Sequence, residues 1–251
     1  MISDLTVPFV DTALGSATVF FMKKEINSTL SKLLCGFAAG VMIAASVWSL
    51  LIPSIEMSGG CTLKFLPAVT GFLLGVAFLS ALDFILRKLE KRGKNNSDSR
   101  PTKMTALAVT LHNIPEGMAV GVMIAAALAS PSAQTFTAAA ALSTGIAIQN
   151  FPEGAIISMP LHSQGMSKTK AFVFGALSGA VEPVFGALTI LLTGVVKTAL
   201  PYLLSFAAGA MIFVVCEELI PEAKSKKIPC LAAFGVSLGF SVMMALDVLF
   251  S

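Results

Sequence analysis

Apolar stretches of about twenty residues alternate with short polar breaks along the whole chain. Eight can be read: Thr6–Met22, Leu33–Ile55, Leu66–Leu86, Met104–Ser130, Phe136–Leu161, Ala171–Val196, Leu200–Ile220 and Ile228–Phe250. A helix crossing the hydrocarbon core of a bilayer needs about 20 mostly apolar residues. The pattern therefore predicts eight transmembrane helices, with ends placed to within about 2–4 residues. Alternation with a period of two is absent, which argues against a membrane β-barrel.

Composition agrees. Of 251 residues, 55% are hydrophobic and 12% charged, with mean hydropathy +0.85; soluble domains carry about 25% charged residues. The fold class expected is an all-α, multi-pass integral membrane protein in one transmembrane domain, residues 1–251, located in the cell membrane. Cys35, Cys61, Cys216 and Cys230 have no C-x-x-C spacing and read as small apolar residues rather than a disulfide or thiolate framework. The opening "MISDLTVPFV" has no basic stretch before its apolar part, so the first helix is expected to be retained.

Charge sets the direction. With the N-terminus outside, fifteen of the seventeen basic residues fall in cytoplasmic segments, and only Lys64 and Lys197 fall outside. That is the bias of membrane proteins. Both termini are then extracellular or periplasmic, and the polar segment "RKLEKRGKNNSDSRPTK", residues 87–103, is the cytoplasmic loop between helices three and four.

The chain also repeats itself. "FAAGVMI", Phe37–Ile43, recurs as "FAAGAMI", Phe206–Ile212, and both run on to Leu-Ile-Pro. "GFLLGVAFLSALD", Gly71–Asp83, recurs as "GVSLGFSVMMALD", Gly235–Asp247. Helix one matches helix six more weakly, through Asp11, Gly15 and Thr18 against Glu182, Gly186 and Thr189. Helices one to three thus resemble helices six to eight. An odd number of crossings separates them, so the repeat is inverted, giving a 3+2+3 arrangement of the kind found in transporters with sites near the midplane.

Helices four and five carry the polar chemistry. "LHNIPEGMAVGV", Leu111–Val122, is echoed by "IQNFPEGAIISM", Ile148–Met159. His112 and Glu116 are four residues apart on one helix face, as are Gln149 and Glu153, with Asn113 and Asn150 leaning the same way. Pro115 and Pro152 lack N–H groups and free the carbonyls of Leu111 and Ile148, which must be satisfied in lipid. One imidazole, two carboxylates, three amides and two carbonyls form a hard-to-borderline ligand set suited to zinc, with iron(II), manganese and cadmium also compatible. Copper(I) fits less well, although Met42 or Met211 could supply sulfur. Ionisable groups at mid-membrane cost about 2.5 kcal/mol or more each and point to function. Glu182 could be a further ligand or a proton acceptor, Asp11 is its counterpart, and Glu217 and Glu218 could form an exit. Asp83 and Asp247 lie near helix ends, where their side chains can snorkel to water.

"HNIPEG" followed by "QNFPEG", together with "FAAGVMIAAS", "VEPVFGA" and "AAGAMIFVVCEELIPE", resembles the ZIP family of metal transporters, and within it the prokaryotic GufA-like branch. The resemblance covers nearly the whole chain. It implies influx of zinc and related divalent metals through a site, often binuclear, between helices four and five. The ligands it implies are His112, Asn113 and Glu116 with Gln149, Asn150 and Glu153, approached by Met42 and Glu182. Many members have histidine at the position of Gln149 and some have aspartate at that of Asn150, so the second half-site here is less charged and poorer in nitrogen. The histidine-rich cytoplasmic loop of many eukaryotic members is absent. The expectation is alternating-access transport with the divalent ion as substrate, no organic cofactor, no nucleic-acid partner, the lipid bilayer as surroundings, and small-residue helices suited to a homodimer. A zinc hydrolase is disfavoured because the spacing is H-x-x-x-E rather than H-E-x-x-H.

Overall fold

The computed structural model describes residues 2–21, 28–58, 63–93, 100–163, 165–195, 199–226 and 228–250. Within these, the side chains of residues 2, 86–87, 89–93, 100–112, 160, 193–195 and 250 lie outside the description. The described residues are mostly helical and fall into eight rods. α1 is Ile2–Ala17, tightening into a 3₁₀ turn at Thr18–Phe21. α2 is Ser28–Ala45, a π turn at Ser46–Leu51, then Ile52–Met57. α3 is Phe65–Gly93, α4 Arg100–Ala129 and α5 Ala133–Ser163. α6 is Lys168–Gly179 followed by Val181–Val195. α7 is Leu200–Val214, a π turn at Val215–Leu219, then Ile220–Ala223, and α8 is Leu231–Phe250.

Prolines account for most of the irregularities. Pro53 and Pro221 cannot donate to the carbonyl four residues back, and their rings crowd it. Each helix widens just ahead of its proline, so that Ile52 N–H bonds Val47 O and Ile220 N–H bonds Val215 O. Both π turns precede Leu-Ile-Pro, so the repeat seen in sequence carries a repeated backbone defect. Pro183 does the same to Gly179: the helix breaks at Ala180, and Glu182 lies in the first turn of the new segment, where the helix dipole favours a carboxylate. Gly165, with φ 99°, ends the turn after α5. Its N–H bonds His162 O, and Ser167 caps α6.

The rods pack in two groups. α1 lies against α5 and α6, and α4 against the second half of α6; α2 pairs with α8, and α3 with α7. α2 also meets α5, and α4 meets α7. Exchanging α1 with α6, α2 with α7, α3 with α8 and α4 with α5 maps these pairings onto one another. Within each group, glycines bring backbones together. A methyl added to Gly40 would lie 2.6 Å from Phe240 N, and one added to Gly209 would lie 3.0 Å from Phe72 Cα. Between the groups the approach at Gly145 is filled instead by the flexible side chain of Met243. Large apolar side chains such as Leu191 and Leu249 point outward, 70% and 76% exposed.

Among the described residues, five helical stretches are long and apolar enough to cross a membrane: Ser28–Met57, Phe65–Ile85, Lys168–Leu192, Leu200–Ala223 and Leu231–Leu249. Asn113–Ala129 is a shorter apolar helix. Of the segment expected to connect helices three and four, residues 87–103, the part up to Gly93 and that from Arg100 are helical, and residues 94–99 lie outside the described residues; Leu, Lys, Arg and Glu favour helix, so α3 runs on beyond its apolar part.

Candidate functional site

α4 and α5, joined by a short turn, run antiparallel and bring the two repeated motifs together; α1 and α6 close over them. Asn113, Glu116, Gln149, Asn150 and Glu182 are all buried. Gln149 Nε2 donates to Glu116 Oε1 at 2.5 Å. Asn150 Nδ2 donates to Glu182 Oε2 at 2.9 Å and lies 3.4 Å from Pro8 O. Thr12 Oγ1 stands 3.3 Å from Glu182 Oε1 and 3.1 Å from Pro8 O. Glu153 is partly buried.

Several buried polar atoms in this cluster have no partner among the described residues: Glu116 Oε2, Gln149 Oε1, Asn150 Oδ1 and both side-chain polar atoms of Asn113. Buried polar groups are nearly always hydrogen-bonded, and leaving them unpaired is costly. Four of these five atoms are oxygens, in a cluster that also holds the hydrogen-bonded carboxylates of Glu116 and Glu182. Two amide NH2 groups, of Gln149 and Asn150, now hold carboxylate oxygens that a cation would use. Ion binding requires these amides to turn so that their oxygens face the ion.

No three His, Cys, Asp or Glu side chains among the described residues form a metal cluster; the His112 side chain lies outside them. Met42 and Met211 are fully buried in the apolar core with Leu142 and Ile146. Asp11 is partly buried on α1, and it is its neighbour Thr12 that faces Glu182. Glu217 is exposed and Glu218 partly buried, both in the π turn of α7.

A cavity of about 550 Å³ opens where α2 ends and α5 begins, lined by Trp48, Ser49, Glu56, Met123, Gln134 and Asp247 among others. Asp247 does not simply snorkel to water, as its place near a helix end suggested. It is only 5% exposed and accepts from Ser49 Oγ at 2.6 Å, because the π turn of α2 carries Ser49 toward it. Between this cavity and the paired motifs lie Leu142 and Ile146, fully buried on the face of α5 that also carries Gln149.

Sequence reasoning missed Thr12, the pair Ser49–Asp247 and the glycines Gly117 and Gly154. The signals for two of these were present: a glycine follows the glutamate in both motifs, and Leu-Ile-Pro marks both π turns. For Thr12 the match of helix one to helix six is too weak to fix its register.

Residues 100–247 match the family model described as ZIP Zinc transporter. Zinc transporter ZIP11 of Xenopus tropicalis is 37% identical over 94% of this chain and 93% of its own length. Zinc transporter ZupT of Clostridium perfringens is 33% identical over 95% of this chain and 92% of its own. Zinc transporter GufA of Myxococcus xanthus is 31% identical over 94% and 93%.

Proposed function

The chain belongs to the ZIP zinc transporter family, a multi-pass membrane protein, and from that premise we propose that it carries zinc into the cytoplasm through the polar cluster between α4 and α5. Cadmium, iron(II) and manganese are the further candidate substrates. The observation that carries this reading is the set of buried, partnerless oxygens on Glu116, Gln149 and Asn150 beside Glu182. His112 adds the imidazole nitrogen, and Asn113 and Glu153 complete the two half-sites.

All eight rods cross the membrane in a 3+2+3 order with both termini outside. The placement of basic residues supports this direction, and the exchange-invariant packing supports an inverted repeat. The cavity at Asp247 then faces outward. A hydrated ion enters there, and Leu142 and Ile146 seal it from the site in this arrangement. Alternating access follows from a rigid movement of the group holding α1, α4, α5 and α6 against the other four helices. Glycine-seated backbones keep each group rigid, whereas the interface between them is met by side chains such as Met243. Glu217 and Glu218 receive the ion on the inner side.

The test is zinc entry into liposomes followed by an internal dye, with wild type and Glu116→Ala side by side. Saturable flux in wild type that vanishes in the variant is expected. Flux that survives Glu116→Ala would place the path elsewhere.

A further inference from the structure

The third residue of each Pro-Glu-Gly triplet has no ligand atom, yet it meets the backbone of an opposing helix. A methyl on Gly117 would lie 2.6 Å from Glu182 Cα and closer still to the Glu182 carbonyl oxygen. One on Gly154 would lie 2.8 Å from Ser16 N and closer still to the Thr12 carbonyl oxygen. Each glycine directly follows its motif's glutamate, so each seats the opposing backbone at the level of the candidate ligands. The residues seated are Glu182 and Thr12, whose side chains meet at 3.3 Å, with Asn150 closing on Glu182 at 2.9 Å. The unpaired, fully buried Asn150 Oδ1 and Glu116 Oε2 show that a ligand is wanted within this frame.

We infer that Gly117 and Gly154 are positioning residues that set the width of the site and so the size of ion it prefers. The inference rests on the transport reading above. Side chains can swing to fit an ion, but two helix backbones in contact cannot approach further, and a close-packed interior resists being opened. Carbon atoms settle at about 3.5–4.0 Å, so an added methyl drives α6 or α1 back by roughly an ångström. Glu182 retreats with α6. Zinc needs oxygens at about 2.0–2.2 Å; a widened frame serves the larger cadmium ion better.

The test compares zinc and cadmium uptake by wild type, Gly117→Ala and Gly154→Ala, with Gly40→Ala and Gly209→Ala as equally tight glycines in the helix group without the motifs. Misplacing a reacting group by an ångström can cost about a hundredfold. The zinc-to-cadmium ratio of kcat/KM is expected to fall by roughly tenfold to a hundredfold in the first two variants and to hold in the last two. Zinc- and cadmium-dependent thermal stabilisation of the purified protein reads the same ratio without transport. Glu182→Asp, which withdraws the carboxylate and leaves the glycine seats intact, should shift the ratio the same way and serves if the alanine variants do not fold. An unchanged ratio in Glu182→Asp, or an equal change in all four glycine variants, overturns the inference. Wild type that carries neither ion removes the transport reading and this inference together. Uptake that depends on Glu116 with one ratio throughout removes this inference alone.

Discussion

Glu116→Gln separates a metal ligand from a structural hydrogen-bonding residue. Glu116 is 1% exposed. One oxygen accepts from Gln149, and the other has no partner among the described residues. Glutamine keeps the shape and the acceptor facing Gln149 but removes the charge. In the metal-free protein this relieves the burial of a carboxylate, which is dearer than that of an amide, so stability should hold or rise. In the zinc-bound protein it removes one member of a buried charge pair, a loss of about 3–5 kcal/mol. At about 1.4 kcal/mol per tenfold, zinc should bind roughly 150- to 5,000-fold more weakly. Zinc at a hundredfold excess over Kd stabilises the wild type by about 2.7 kcal/mol; in the variant the same zinc should give under about 0.4 kcal/mol. Thermal unfolding of the purified protein in detergent, with and without zinc, measures both effects. Undiminished zinc stabilisation of Glu116→Gln would refute the ligand assignment. A metal-free variant that melts well below wild type would make Glu116 a structural residue instead.

Asp247→Asn should raise the KM for zinc uptake several-fold and leave the saturated rate near wild type, because Asp247 lies at the cavity and not among the paired motifs; initial rates against zinc concentration check this. Thr12→Val removes the hydroxyl facing Glu182 at a cost of about 1 kcal/mol, so zinc binding should weaken by roughly fivefold, measured by titration calorimetry. Uptake should fall as pH drops from neutral, since a protonated His112 cannot ligate and protonated carboxylates ligate poorly. A rate that stays level from neutral pH to about pH 5 in zinc-loaded assays would count against these ligands.

The helices were legible because lipid imposes a simple code of length and apolarity, and α2, α3, α6, α7 and α8 satisfy it outright. α5 falls short by composition because Gln149, Asn150 and Glu153 lower its hydropathy, and those residues are the ones that reveal the cluster. The cluster was legible because polar residues at helical spacing stand out against an apolar background. What stayed hidden depends on how one helix registers against another. Local sequence aligns Asp11 with Glu182, yet packing turns Thr12 to Glu182. Asp247 reads as a residue near water until the π turn of α2 delivers Ser49 to it. Gly117 and Gly154 recur after the glutamate of each motif, but only the packing shows that each meets an opposing backbone.

The two halves share a scaffold but not a chemistry. Helix pairings survive exchange of the repeats, and so do the π turns ahead of Pro53 and Pro221. The donors do not. His112 is answered by Gln149, and Glu182 by the neutral Thr12, so the site is more basic and more acidic on particular helices instead of being balanced about its centre. At the ends, the π turn of α2 presents Ser49 to a single buried aspartate, whereas that of α7 presents Glu217 and Glu218. In the alternating-access cycle proposed above, this backbone symmetry would let one packing serve both states, since each half could adopt the arrangement of the other. The side chains that the repeat does not share would then set how tightly the ion is held at each face.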